Sequence, residues 1–528
     1  MKKLFALLLV VLMLLPCLVA CGNKPADSTT DTNKGTDTTT DTTKPSDTDT
    51  SKPSDTDTSK PSDTDTGSSS NDKISSEDTV LTKYKGKTLN VLGSYWNNAN
   101  NAPWSLPELC CKGRDDEGGF GLFINGGVVD RNELIKEKYG VTVNWIGTGS
   151  SALKNDISSS IAAGEAGTVY HLALPRAYSA CDLVTMEVLY DLLSSKYIDL
   201  SRSYYNADAT QAHSAFGKSF FVGGDFSFLY KHTTSLIYFN KTMADKIEDF
   251  PDLYAMVKEG KWTIDELIKL AKGVVKDDGD GVWTNEDTYG AYLSYLQLFT
   301  AFGIKTVSSD GEHAMEITIN DPKINTIINK ILEIEGSTWN RSAWNKEDGT
   351  QDYWAPVNAV IGGRLLFMYE VVEKYQSFAN NSDKVTVGAL PLPKLNEAQE
   401  GYATTSAIQT ALMCIPRTTD DKEFSEYMLD VLAWTGAKYV VSKYDQQLEG
   451  FLPDDDGATL EILNDYIFPN VKYDLGLTCD WGGGKLAGVL RDCYTGGTNN
   501  FQKLYEESYD AALAQITSWN DAYEFYEE

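Results

Sequence analysis

Positive charge and histidine are both scarce in this sequence. Lysine and arginine number 46 against 76 aspartate and glutamate residues in 528, giving a formal net charge of −30 at pH 7. An acidic surface repels phosphate backbones and anionic headgroups, so we expect no nucleic-acid partner and no electrostatic membrane binding. The four histidines, His171, His213, His232 and His313, lack metal-ligand spacing, and no His-Glu-x-x-His motif occurs. The zinc hydrolases that use this motif are therefore excluded.

Other catalytic motifs are also missing. No Gly-x-Ser-x-Gly elbow occurs, and Gly217-Lys218-Ser219 resembles the end of a P-loop but has Ala212 where the first glycine is required. No carboxylate pair of the glycosidase type can be singled out among so many acidic residues. We predict that the protein is not an enzyme, and glycoside hydrolysis stays open as a less favoured alternative.

The sequence has no apolar run long enough to remain in a bilayer as a spanning helix. The longest N-terminal run, Leu4 to Leu15, follows Lys2 and Lys3 and is too short. Leu18-Val-Ala-Cys21 resembles a bacterial lipobox, which predicts a lipoprotein signal peptide over residues 1–20 and diacylation, as by palmitate, at Cys21. We expect an extracellular protein held on the cell membrane by this lipid anchor alone. Plain secretion is the alternative.

Residues 21–78 are predicted to form a disordered tether. From Asn23 to Asn71 the chain is almost entirely Thr, Ser, Asp, Lys, Pro and Gly, with an eight-residue unit repeated from Lys44, Lys52 and Lys60. Such a segment cannot offset its ordering entropy by burying apolar surface. A glycosylated stalk is the alternative that composition leaves open.

Strand and helix patterns alternate along residues 79–528, which predicts an α/β fold. Thr88 to Leu92, Val141 to Ile146 and His171 to Leu174 have strand character, and Val128 to Tyr139 and Ala152 to Ala163 have helical spacing. This order indicates a β-α-β beginning.

Similar patterns continue later in the chain. Thr263 to Glu266 forms a capping box before a helix, and Phe424 to Val431 has a helical apolar face that continues to Trp434, a predicted core residue. Val385 to Leu390 and Ala411 to Ile415 are predicted to be buried strands.

Several segments, in order, resemble the extracellular solute-binding proteins of ABC importers, in particular the carbohydrate-type family 1 that includes maltose-binding proteins. They are Gly217 to Val222, Ser235 to Lys241, Trp262 to Leu267, Gly388 to Lys394 with Asn396, Glu397, Gln399 and Tyr402 after it, and Tyr466 to Gly476. Each segment is a weak signal, and their order and spacing together are specific.

The resemblance implies a type II periplasmic-binding-protein fold, with two α/β lobes joined by crossover strands and closing around a solute. It places lobe 1 at about 84–232 and 385–434, and lobe 2 at about 233–384 and 435–528. The implied function is capture of a sugar or oligosaccharide by a monomer that delivers it to ABC permease subunits. A non-transporting glycan-binding or sensor lipoprotein is the alternative.

Sugar recognition needs aromatic faces for the C–H surface of the rings and fixed polar groups for the hydroxyls. Residues just past strand ends are favoured, because open α/β sheets place ligands there. On this ground the predicted ligand-binding residues are Tyr95, Trp96, Arg176 and Tyr178, and Trp481 is added because it precedes the glycine run at 482–484. The family resemblance implies Asp225, Tyr369 and Glu370 as further ligand-binding residues. For each, a surface loop, a solvated turn or a core position is the alternative.

Residues 276–287 resemble a calcium-binding loop, with Gly281 at the sharp turn. The predicted ligands are Asp278, Asp280, the carbonyl of Val282, Thr284 and Asp287. Lys276 stands where an aspartate is expected, and Asp287 is shorter than the usual glutamate. An acidic turn without metal is the alternative to structural Ca²⁺.

Cysteine pairing cannot be deduced from this sequence. Six cysteines lie beyond Cys17 and Cys21, and we take Cys479 with Cys493 as the first pair to test. Free buried thiols are the alternative, because the chain lacks the cysteine density of disulfide-stapled domains.

Overall fold

The computed structural model describes residues 73–95, 122–149, 151–346, 349–406, 410–453, 456–479 and 485–527. The signal peptide, Cys21 and residues 21–72 of the predicted tether lie outside this description, so those assignments stay predictions. In the described part, no helix is both long enough and apolar enough to cross a bilayer.

The chain begins with a parallel sheet and continues through short elements to the crossover. These elements are β1 Thr88–Tyr95, α1 Leu122–Leu134, β2 Thr142–Gly149, α2 Leu153–Ala162, β3 Leu172–Leu174, α3 Ala177–Thr185, β4 Tyr205–Asn206, α4 Ala207–Ala212, β5 Ser214–Ala215, β6 Lys218–Ser219, β7 Gly223–Gly224 and α5 Leu229–His232. The helix predicted from Val128 starts earlier, and its last turn, Ile135–Tyr139, is a π-helix.

The first sheet has the order β2-β1-β3, with all pairs parallel. Val91 and Leu92, adjacent residues that point to opposite faces of its central strand, are both buried, as expected for a parallel strand covered on both faces. The predicted strand Ala411 to Ile415 joins this region through bridges from Ala411 to Arg176 and from Cys414 to Ala173. The β-α-β beginning is confirmed.

A second sheet follows the crossover, with further elements around it. These are β8 Ser235–Asn240, α6 Lys241–Ala244, α7 Leu253–Lys258, α8 Ile264–Lys272, β9 Tyr289–Tyr292, α9 Tyr295–Ala301, β10 Val307–Ser308, β11 Glu316–Ile317, α10 Ile324–Glu335, α11 Ala355–Ile361, β12 Leu365–Val371, α12 Tyr375–Ala379, β13 Val387–Leu390, β14 Thr404–Thr405, α13 Lys422–Gly436, α14 Ser442–Glu449, α15 Gly457–Glu461, β15 Val471–Lys472, α16 Leu475–Cys479, α17 Lys485–Thr495 and α18 Phe501–Glu524.

The second sheet has the order β13-β8-β12-β9 and mixes antiparallel with parallel pairs. All six residues of β8 are buried. The helix α8 packs beside β9 and begins at Thr263, whose hydroxyl accepts a hydrogen bond from the Glu266 N–H at 3.4 Å. The predicted N-cap is therefore confirmed.

Two expectations need correction. Val387–Leu390 pairs with β8, so this strand belongs to the second sheet and not to lobe 1, where the boundary at residue 385 placed it.

Cys479 pairs with Cys181, not with Cys493, and the Cα atoms of the bonded pair are 5.7 Å apart. Cys414 and Cys493 are free and buried. The pairing was hidden because 298 residues separate the two bonded cysteines. The other lobe boundaries stay predictions.

The start of the described chain is fixed to the first lobe by a buried charge. Asp430 on α13 accepts hydrogen bonds from the Ser76 N–H at 3.0 Å and the Ser76 hydroxyl at 2.7 Å. Arg202 donates to both carboxylate oxygens, and the hydroxyls of Tyr204 and Tyr205 complete the set. We call these five residues the Asp430 network. Ser76 lies within the tether predicted over residues 21–78 and is fully buried, so the end of that segment belongs to the folded domain and the predicted bound at residue 78 is too late.

Candidate binding cleft

Hydroxyl side chains gather where the chain crosses between the two sheets. We call this group the crossover hydroxyl cluster, and its members are Thr233, Ser235, Tyr369, Thr405, Ser406 and Thr410. The Ser235 hydroxyl lies 3.0 Å from that of Tyr369 and 3.2 Å from that of Thr405. The Thr233 hydroxyl lies 2.9 Å from that of Ser406, which also bonds to Thr410. Each group can donate or accept, so the cluster can exchange its bonds with the hydroxyls of a ligand.

The second lobe presents aromatic and charged groups at the carboxyl ends of β9 and β12. Tyr292 pairs with Met368, and Tyr369 and Glu370 are the next residues of β12. Burial raises the pKa of Tyr292 to about 12, with a smaller electrostatic contribution from Glu370. Burial also raises the pKa of the Glu370 carboxyl, while Lys374 acts in the opposite direction. This edge therefore joins phenol, carboxyl and ammonium groups.

Two exposed aromatic side chains stand beside this edge. Tyr353 is 72% exposed and Trp354 is 52% exposed, although most aromatic residues of the described chain are at least partly buried. They immediately precede α11, and the Lys374 ammonium lies 4.7 Å from the Trp354 ring centroid. Tyr353 is also close enough to act electrostatically on Tyr292. The arrangement gives flat apolar faces next to polar groups, as sugar binding requires.

The first lobe meets the cluster through the end of β3. Arg176 occupies the N-cap position of α3 and is buried, and the N–H of Ala177 donates to the Thr410 carbonyl at 2.8 Å. Tyr178 lies in the first turn of α3 and is half-buried. Tyr95 ends β1 at the same edge, since Gly93 pairs with Leu174, and only its backbone is described.

Asp225 lies close to the crossover. The Tyr230 hydroxyl donates to Asp225 Oδ1 at 2.9 Å, and the Tyr230 carbonyl accepts from the Ser406 hydroxyl at 3.2 Å. Burial raises the pKa of Asp225 to about 6, opposed by the Tyr230 hydrogen bond. The carboxyl is therefore poised to change charge close to neutral pH.

The structure brings four predicted ligand-binding residues to the crossover region: Arg176, Asp225, Tyr369 and Glu370. Tyr178 lies beside Arg176, whereas Trp96 and Trp481 fall outside the described residues. The role of all eight in binding stays a prediction. Sequence reasoning missed Tyr353, Trp354 and Lys374. An aromatic pair directly before a helix that starts with Ala355-Pro356 was the available signal.

The acidic loop at 277–287 has a different set of neighbours from the one predicted. Ligand atoms of Asp277, Asp278 and Asp287 lie within 4.8 Å of one another. Asp287 accepts N–H bonds from Thr284 at 2.6 Å and from Asp278 at 2.8 Å, and these bonds lower its pKa, that from Thr284 most. The predicted ligand Asp280 is outside this group of carboxylates. The calcium site stays a prediction, with Asp277 added as a candidate ligand.

Comparison with known proteins places the chain in a family. Residues 133–430 match the family model described as bacterial extracellular solute-binding protein. The chain belongs to this family. None of the curated proteins matches it.

Solved structures show the same fold at low sequence identity. A cyclo/maltodextrin-binding protein complexed with maltotetraose is 13% identical, with a TM-score of 0.50, and the match covers 81% of this chain and 96% of that one. An extracellular solute-binding protein from Staphylococcus aureus in complex with maltose is 11% identical, with a TM-score of 0.50 and the same coverages. This solute-binding protein thus has the two-lobed periplasmic-binding-protein fold.

Proposed function

We propose that this protein captures a sugar or short oligosaccharide between its lobes and delivers it to the permease subunits of an ABC importer. The observation that carries the proposal is the exposed pair Tyr353 and Trp354 beside Lys374 and Tyr292, at the edge where β9 and β12 end. Aromatic faces suit the C–H surface of pyranose rings, and neutral hydroxyls suit exchangeable hydrogen bonds. The maltose and maltotetraose bound by structures of the same fold support this ligand class.

Binding without catalysis accounts for the site. The neighbours reported above are binding proteins, and a ligand that prefers the closed lobes shifts the open and closed populations. A non-transporting glycan sensor would use the same cleft and differ only in its partner. We propose that the importer partner is favoured, since a lipid anchor at Cys21 and a tether keep the captured solute near the membrane.

Calorimetric titration with maltose, maltotetraose and a short peptide tests the ligand class. We expect saturable heat with at least one sugar and none with the peptide. Trp354→Ala should weaken sugar binding about tenfold or more, because stacking area is lost. The matched control is Trp283→Ala, which removes a 40% exposed tryptophan that packs near the opposite end of β9. Peptide binding alone, or sugar hydrolysis, would refute the proposal.

We also propose Ca²⁺ as the occupant of the loop at 277–287. Asp277 and Asp278 supply hard oxygen ligands next to Asp287. Added Ca²⁺ should raise the melting temperature of the wild-type protein and not that of Asp277→Asn. An equal rise in both proteins would leave the acidic turn as the correct interpretation.

A further inference from the structure

A cavity of about 300 Å³ lies beside the crossover strands, and the exposed aromatic pair is not part of its walls. Its walls come from α4, from residues 300–309, which run from the end of α9 through β10, and from Lys472 and Tyr473 at the end of β15. The Ser235 hydroxyl contacts those of Tyr369 and of Thr405 on β14. Thr405 pairs with Lys472 on β15, and Lys472 lines this cavity. Because the walls include residues from 208–212 and from 300–309, an occupant would touch parts of both predicted lobes.

The charges at this cavity differ in sign from the rest of the molecule. Lys305 and Lys472 line it with a single carboxylate, Asp208, whereas the whole chain has a net charge of −30. Asp208 lies 3.8 Å from the Lys472 ammonium. Within the described residues, Lys305 has no ion-pair partner. One ammonium group is thus available to a ligand without breaking an existing pair.

Polar groups in the wall add hydrogen-bonding capacity. Thr300 is 3% exposed, and its hydroxyl has no hydrogen-bond partner among the described residues. A buried hydroxyl left unpaired costs free energy, so a bound partner or water at this place would stabilise it. The Tyr473 hydroxyl accepts from the Asn206 amide at 2.9 Å and keeps its own proton to donate. Apolar side chains of Ile304 and Val307 complete the wall.

We propose that this cavity binds a small anion bearing a carboxylate or phosphate group through Lys305 and Lys472. Ammonium groups form charge-assisted hydrogen bonds with such oxygens, about twice as strong as neutral ones. The cavity volume is at the lower end of the range for small-molecule sites, which suits a metabolite and not a polymer. The cavity walls include none of the residues assigned to the sugar cleft, so the proposal does not rest on sugar binding.

Calorimetry on the whole protein with inorganic phosphate, citrate and glucose 6-phosphate, and with glucose as the uncharged counterpart, tests the proposal. We expect saturable binding of at least one anion, and the best of the three identifies phosphate or carboxylate as the recognised group. Lys305→Met and Lys472→Met should each weaken that binding about tenfold or more, since each removes a charged partner. Lys384→Met, at an exposed lysine outside the cavity, is the matched control.

Two further variants locate the bound anion. Thr300→Val should weaken anion binding without lowering stability, because valine has nearly the same shape and no hydroxyl to leave unpaired. Trp354→Ala should leave anion binding unchanged. The proposal fails if no anion binds, if Lys384→Met weakens binding as much as Lys305→Met, or if Trp354→Ala abolishes it. Equal binding of glucose and glucose 6-phosphate would also overturn it.

Discussion

The Asp430 network and the crossover hydroxyl cluster both combine buried with half-buried polar side chains, and they differ in charge. Asp430 is fully buried and takes hydrogen bonds from an arginine, two tyrosines and a serine. The cluster consists of neutral hydroxyls. The oxygens of Thr233 and Ser406 are 2.9 Å apart, and the Ser235 oxygen lies 3.0 Å from that of Tyr369 and 3.2 Å from that of Thr405.

This difference fits the two places in the fold. A buried charge is stable only with its full set of partners, so the Asp430 network resists rearrangement and suits a fixed joint. Neutral hydroxyls cost less to re-pair, so the cluster suits a region where lobes move and a ligand arrives. Asp225 stands between these extremes, since it is a buried carboxyl with a tyrosine hydroxyl as hydrogen-bond partner.

The largest effect is expected from Asp430→Ala. It removes the acceptor of Ser76 and of two tyrosine hydroxyls and leaves Arg202 with Asp199 as its remaining carboxylate partner, and we expect the free energy of unfolding to fall by about 3–5 kcal/mol. Urea denaturation measures this. The control, Asp445→Ala, breaks an ion pair with Lys231 in which Asp445 is 46% exposed, and should cost less than about 1 kcal/mol. Similar losses in both variants would remove the distinction between the network and surface pairs.

A smaller effect, dependent on pH, is expected from Asp225→Asn. Burial raises the folded-state pKa of Asp225 to about 6, above the unfolded value of about 3.9. The folded state therefore disfavours the charged form, and wild-type stability is lost as pH rises from about 4 to about 6. The free energy of unfolding of Asp225→Asn, measured relative to that of the wild type, should therefore rise by up to about 3 kcal/mol between pH 4 and pH 7.

Denaturation of both proteins at the two pH values measures this gain, and the exposed Asp383→Asn serves as control. A constant difference between wild type and Asp225→Asn would show that the carboxyl is solvated in the folded protein.

The smallest effect is expected from Ser235→Ala. The substitution removes hydrogen bonds to Tyr369 and Thr405, whose hydroxyls can re-pair within the cluster, so about 1 kcal/mol of stability should be lost. Urea denaturation against Ser337→Ala, which loses one bond to the Ile334 carbonyl, gives the reference. A loss near 3 kcal/mol would show that the cluster is as tightly constrained as the Asp430 network.

Sequence reasoning worked best where the signal was local. The Thr263 cap and the first strands follow from neighbouring residues, because helix caps and strand alternation depend on short-range geometry. The order of the matched segments also led to the correct family. The Cys181 to Cys479 pairing and the place of β13 in the second sheet depend on contacts between distant segments, and no local pattern records them.

The candidate site shows the same division. Residues near strand ends, such as Arg176 after β3 and Glu370 at the end of β12, could be proposed because the ends of strands define an edge of the sheet. Tyr353 and Trp354 follow no predicted strand, and their exposure beside Lys374 is visible only in the folded chain.

The sequence by itself determined the acidic character, the α/β class and the solute-binding family, because composition and short segments carry these properties. The tertiary structure decided which side chains meet: the hydroxyls at the crossover, the exposed aromatic pair, and Lys305 with Lys472 at the proposed anion cavity. The physical reason is that burial, pKa and hydrogen bonding depend on neighbours in space, which packing brings together from segments hundreds of residues apart.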